Sequence, residues 1–216
     1  MKDKKLFSEK FRKYFLLHLK CLRGEIFSTL FMGWFAGWIW GGLDRDKVII
    51  LAIIIGGWSM RAFARTCSGM LYQQEAYLYQ SFPVSAFETV FTKVTAGALV
   101  LVAGLLPVSF QIYGLGGAVF TPAIIAGSLL VGGIILAAIG FGNSMRDSRA
   151  KKPSMFASSV AAILMLAAQA GLIVVFAKYV PMETGLKILI LTGVFLIEAA
   201  AFLWHNTRSL KYNYQV

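Results

Sequence analysis

The stretch Met155–Lys178, MFASSVAAILMLAAQAGLIVVFAK, carries no charge before its final lysine, and it decides the fold class. A helix rises about 1.5 Å per residue, so a run of this length covers at least the ~30 Å of hydrocarbon in a bilayer. Five further segments share its character: Ile26–Leu43, Val48–Met70, Val94–Tyr113, Pro122–Gly142 and Leu186–His205. Lipid offers the backbone no hydrogen bonds, so each run is expected to be helical. A transmembrane barrel needs strands of about ten residues that alternate apolar and polar, and no such alternation occurs. Composition agrees: 58% of the 216 residues are hydrophobic and 14% charged, against about half and a quarter in soluble domains. The chain reads as all-α and polytopic, with six transmembrane helices. Residues 1–216 form a single membrane domain with no room for a sizeable soluble part.

Orientation follows from the cations, which membrane proteins keep in excess on the cytoplasmic side. Seventeen of the 21 Lys and Arg residues fall in residues 1–23, 61–93 and 143–154 and in the C-terminal tail. Only Arg45, Lys47, Lys178 and Lys187 lie on the opposite side. Both termini are therefore expected in the cytoplasm, with the chain multi-pass in the plasma membrane. The net charge of +11 does not point to nucleic acid, because the cations sit where helices meet the cytoplasm. Cys21 and Cys67 fall on that same side and give no sign of a disulfide. The N-terminus is too basic, and too long before its first apolar run, for a cleaved signal peptide.

Within residues 1–25, the stretch Leu6–Leu22 is amphipathic. Phe7, Phe11, Tyr14, Phe15 and Leu22 recur at helical spacing, while Lys5, Lys10, Arg12, Lys13, Lys20 and Arg23 fill the other positions. Such a helix lies in the headgroup layer, rings inward and cations toward anionic lipid. It either anchors the chain or acts as an elbow feeding the first span.

The sequence carries no chemical engine. It has no G-x-x-x-x-G-K-[ST] loop, no H-E-x-x-H, no G-x-S-x-G and no cluster of metal ligands. No catalytic residue, cofactor or metal is assigned to the chain itself. His18 and His205 stand at helix ends and read as structural. More informative is the connection over 71–93, LYQQEAYLYQSFPVSAFETVFTK. Pro83 disfavours helix at Phe82 and breaks the run. Ser85 is placed to cap a new helix from Ala86, with Glu88 completing a capping box. Two short helices joined at this break would lie against the cytoplasmic face, offering aromatic and acidic side chains to a soluble partner.

Phe82-Pro83-Val84-Ser85, a short helix containing Glu88, and then Lys93 opening a span resemble the ABC type-2 exporter permeases. That family carries L-P-V-S, a short helix and a lysine at the start of the third span; here Phe82 takes the place of the leucine. The resemblance extends to the whole layout of basic amphipathic N-terminus, six spans and cytoplasmic ends. It implies a pair of permease subunits, identical or paralogous, bound to two P-loop ATPase subunits that hold ATP and Mg. It also implies that residues 71–93 are the coupling segment, with Glu75, Tyr79, Phe82, Pro83, Val84, Ser85 and Glu88 making or shaping the ATPase contact.

Charges inside spans are costly in lipid and point to pathways. Glu198 lies deep in the last span, and Arg61 and Arg65 lie four apart in the second. The arginines either snorkel to headgroups or line an inward vestibule, and one is a possible partner for Glu198. Gln111 and Gln169 are further polar candidates for the path, or bond across helices. Gly33, Gly37 and Gly41 share one helix face and permit close approach, either between subunits or within one. The aromatic, apolar spans suit an amphipathic or hydrophobic cargo, such as a peptide. An ion-gradient carrier would require paired repeats and broken helices, which are not evident. A non-transporting scaffold or immunity protein is the third class.

Overall fold

The computed structural model describes residues 10–40, 54, 57, 58, 61, 84–144 and 155–213. Among them the elements are α1 (Phe11–Trp40), α2 (Ala86–Tyr113), a 3-10 turn (Gly114–Phe120), α3 (Thr121–Ser144), α4 (Met155–Tyr179) and α5 (Thr184–Asn213). Four segments are long and apolar enough to cross a bilayer: Ala86–Gln111, Gly116–Gly142, Phe156–Tyr179 and Thr184–Leu210. The described residues are all-helical, and the four apolar helices make this a multi-pass membrane protein. These four match the third to sixth spans of the sequence. Residues 26–40 of the first span belong to α1. The second, Val48–Met70, lies outside the described residues except for Ile54, Gly57, Trp58 and Arg61, which are helical.

Contacts fix the helix directions. Phe11 meets Phe91, and Gly33 meets Gly104, so α1 and α2 run parallel. Val94 faces Gly132, so α3 returns antiparallel to α2. Gly127 faces Phe195 and Gly133 faces Phe202, so α5 runs parallel to α3. Lys10, Arg12, Lys13, Lys20, Arg23, Lys93 and Arg208 consequently gather at one end of the bundle, and Lys178 and Lys187 at the other.

α3 is the central helix, packed on α2, α4 and α5. Its glycines explain why. Apolar helices gain little by associating in lipid, so contact depends on close packing of small residues. A Cβ on Gly133 would come within 2.8 Å of the Phe202 side chain, and one on Gly132 within 3.1 Å of the Val94 carbonyl. Asn206 donates a buried hydrogen bond to the Gly133 carbonyl at 2.9 Å. Val90 and Val94 of α2 pack with Ile135, Leu136 and Ile139 of α3, joined by Leu203 and Leu210 of α5. This explains why α5 continues past the expected end at His205. α4 packs more loosely: no residue of its apolar span is fully buried, and half-buried Leu166 meets the Leu130–Ile134–Ala199 cluster.

The reversal between α2 and α3 is tightly folded. Gly114 adopts φ +56°, a left-handed conformation that favours glycine. Ser109 donates its hydroxyl to the Gly117 carbonyl at 3.2 Å, and the Tyr113 and Phe120 rings sit 4.8 Å apart.

The described part of the amphipathic segment over 1–25 is not set apart from the first span: helix α1 runs unbroken from Phe11 through Trp40. The physical reason is a single buried stripe, Tyr14, His18, Leu22, Thr29 and Gly33, at helical spacing along the face that packs on α2. Nor is the helix that begins at Ala86 a short piece of a hairpin. It continues without a break into the third span, Val94–Tyr113, as α2.

Candidate functional site

The segment singled out by the sequence ends in the capped start of α2. Ser85 is extended at φ −72°, ψ 159°, and its hydroxyl accepts the Glu88 N–H at 3.2 Å. The Glu88 carboxylate accepts the Ser85 N–H at 2.8 Å, closing the capping box. Val84 is half-buried and Ser85 exposed, whereas Glu88 is buried. Of the proposed coupling residues, Glu75, Tyr79, Phe82 and Pro83 lie outside the described residues.

Beside this cap the bundle holds a cluster that sequence reasoning missed. Tyr14 and His18 of α1, and Glu88, Thr92 and Lys93 of α2, are each 2% exposed or less. The Tyr14 and His18 rings lie 6.1 Å apart. The sequence reads His18 as a structural residue at a helix end and Lys93 as the opening of a span; both are buried near the α1–α2 contact. The available signal was the four-residue spacing of Tyr14, His18 and Leu22, which puts the histidine on the apolar face.

His18 precedes the first span, and burial, reinforced by the charge of Lys93, lowers its pKa from 6.5 to about 4. Between those values the unfolded chain binds the proton and the folded one does not. Stability is therefore full above pH 6.5 and falls as pH drops toward 4, by on the order of 3 kcal/mol across the window. Thermal melts in detergent at pH 7.5 and 4.5 should show this loss, and His18→Gln should flatten it. An equal loss in the variant would assign the effect to other groups.

Among the described residues no hydrogen bond joins one candidate path residue to another. Gln111 of α2 donates to the Trp34 carbonyl of α1 at 3.0 Å, a bond between helices. Gln169 is half-buried on α4, and Arg61 is exposed. Arg65 lies outside the described residues. Glu198 is half-buried on α5, its Oε2 buried with no hydrogen-bond partner among the described residues. Gly33 packs on α2 of the same subunit, where a Cβ would collide with the Gly104 carbonyl oxygen. That places Gly33 within one subunit, not between two. The side chain of Gly37 is not described, and Gly41 lies outside the described residues. Compared with known proteins, the chain matches no family model, no curated protein and no solved structure.

Proposed function

We propose that this chain is the transmembrane permease subunit of an ATP-driven exporter. In this reading a separate P-loop ATPase carrying ATP and Mg docks on residues 71–93, and a second permease copy or paralogue completes the path for an amphipathic or hydrophobic cargo. The observation that carries it is the closed capping box at Ser85 and Glu88, directly after Phe82-Pro83-Val84. A rigid helix that starts at the proposed docking segment and continues as a span is a lever for moving the bundle. The parallel course of α1 and α2 supports six spans, because two parallel crossing helices require a return, and Val48–Met70 supplies the apolar length. The gathering of cations at one end supports placing that end in the cytoplasm of a plasma-membrane protein.

Expression of the chain from its native gene neighbourhood, with any P-loop ATPase that a neighbouring reading frame encodes, tests the proposal. The two should co-purify, and Glu75→Ala or Phe82→Ala should lower cargo movement per ATP hydrolysed while leaving nucleotide binding intact. Absence of any ATPase in the purified complex, with activity persisting without ATP, would refute it. If that activity collapsed with an ion gradient, a secondary carrier would take its place.

A further inference from the structure

Helix α1 divides its surface in two. Tyr14, His18, Leu22, Thr29 and Gly33 are buried on the side that packs on α2. The opposite side carries Lys20, Arg23, Phe27, Phe31 and Trp34, which fall within an arc of about 80° at ~100° per residue. All five are exposed, the three aromatic residues by 57% to 69%. The stripe also has an order along the axis, cations first and rings after. α1 runs parallel to α2, and the two meet at Gly33 and Gly104. About ten residues back from that contact, or ~15 Å, stand Arg23 on α1 and Val94 on α2. Val94 follows Lys93 at the head of the third span. Arg23 therefore lies at headgroup level with Lys20 about one turn outside it, and the rings descend to Trp34 beside Gly33. That ~15 Å is the depth of one leaflet, half of the ~30 Å of hydrocarbon. Glu25, the one acidic residue of α1, is half-buried and lies about 160° around the helix from Phe27, so the stripe carries positive charge only.

We infer that this face of α1 binds an anionic phospholipid from the leaflet at the cationic end of the bundle. Lys20 and Arg23 hold the phosphate-bearing headgroup, and an acyl chain lies along Phe27, Phe31 and Trp34. A guanidinium meets phosphate oxygens with two parallel, charge-assisted hydrogen bonds. A zwitterionic lipid offers the same phosphate but brings its own ammonium group toward Lys20, and like charges repel. The lipid lies along α1 from headgroup to midplane, which a helix resting flat in the headgroup layer would not allow. A soluble acidic partner meets the cations but not the rings, which lie at hydrocarbon depth. A second copy related by a two-fold axis sets the same patch against itself, Lys20 and Arg23 included. The binding needs neither ATPase nor cargo, so its failure leaves the export reading untouched.

The test uses the full chain, purified in detergent, stripped of lipid and mixed with equal amounts of dioleoylphosphatidylglycerol and dioleoylphosphatidylcholine, which share their acyl chains. Native mass spectrometry should find the wild type retaining phosphatidylglycerol in preference by at least about fivefold, the attraction of one surface cation. Lys20→Gln combined with Arg23→Gln should abolish the preference. Lys10→Gln combined with Lys13→Gln removes the same charge farther from the hydrocarbon and should leave it intact. A second measurement keeps the wild-type cations and reads the acyl chain. Lipids with brominated chains quench tryptophan, and the signal lost in Trp34→Phe marks the share carried by Trp34. Brominated phosphatidylglycerol should quench that share more than brominated phosphatidylcholine does. Equal retention of the two lipids by the wild type, or equal quenching of Trp34 by both, overturns the inference. So does a preference that survives the loss of Lys20 and Arg23, or one that disappears as fully with Lys10 and Lys13, since the attraction is then diffuse. A double Lys20 and Arg23 variant altered only in oligomeric state would put a second copy on this face and overturn it as well.

Discussion

Gly33→Leu is expected to detach α1 from α2 and to leave little folded protein after detergent extraction. The Gly104 carbonyl oxygen occupies the place of a Cβ at residue 33, with the Gly104 carbonyl carbon at 3.1 Å and its Cα at 3.2 Å. These are backbone atoms of a helix that is itself locked to α3, so no side-chain rotation relieves the overlap. Overpacking of this kind costs about 1–3 kcal/mol, sometimes more, and here it separates two helices along their whole length. The bonds that depend on that approach fall with it, including Gln111 to Trp34. Gly24 supplies the control. A Cβ there meets nothing within 4 Å, so Gly24→Ala should be neutral or stabilising by up to ~1 kcal/mol through helix propensity. Melting midpoints in detergent should rank Gly24→Ala at or above wild type, Gly33→Ala well below it, and Gly33→Leu lowest. Comparable midpoints for Gly33→Leu and wild type would mean that the α1–α2 contact is not needed for stability.

The spans were legible because a bilayer imposes length and apolarity on each segment separately. Pro122–Gly142 and Met155–Lys178 could be bounded within a residue or two of α3 and α4 from local composition alone. The helix start at Ala86 was legible for a similar reason, since a capping box uses only neighbours three residues apart. What the sequence did not disclose depends on pairing between distant residues. Gly33 announced a close approach, but nothing local names Gly104 as its partner. His18 and Lys93 lie 75 positions apart in the chain, and each alone looks like a polar residue at a membrane edge. Only the packing of α1 on α2 turns them into a buried pair. Basic residues on one face suit both a helix lying on lipid and a helix whose opposite face packs on a neighbour, and only the packing shows that Tyr14, His18 and Leu22 are buried.

In the proposed exporter, Ser85→Ala combined with Glu88→Leu is expected to lower cargo movement per ATP by tenfold or more while the ATPase stays bound. The Ser85 hydroxyl and the Glu88 carboxylate each satisfy a backbone N–H at the start of α2, at 3.2 and 2.8 Å. Losing such a cap costs about 1 kcal/mol for each partner, so the double variant disfavours the formed first turn by about 2 kcal/mol, roughly 30-fold in population. Of the residues proposed for the ATPase contact, Glu75, Tyr79, Phe82, Pro83 and Val84 are untouched and Glu88 is buried, so assembly should persist. What fails is transmission, because a frayed first turn absorbs a push that a closed helix would pass to Val90, Val94 and the core of α3 behind them. Glu88→Gln separates the cap from the charge. A glutamine oxygen still accepts the Ser85 N–H, so this variant should transport nearly as well as wild type if the cap is what matters. Failure of Glu88→Gln as severe as that of Glu88→Leu would move the role from the cap to the charge of the buried Glu88 carboxylate. Wild-type transport per ATP in the double variant would show that motion reaches the spans by a route other than the start of α2.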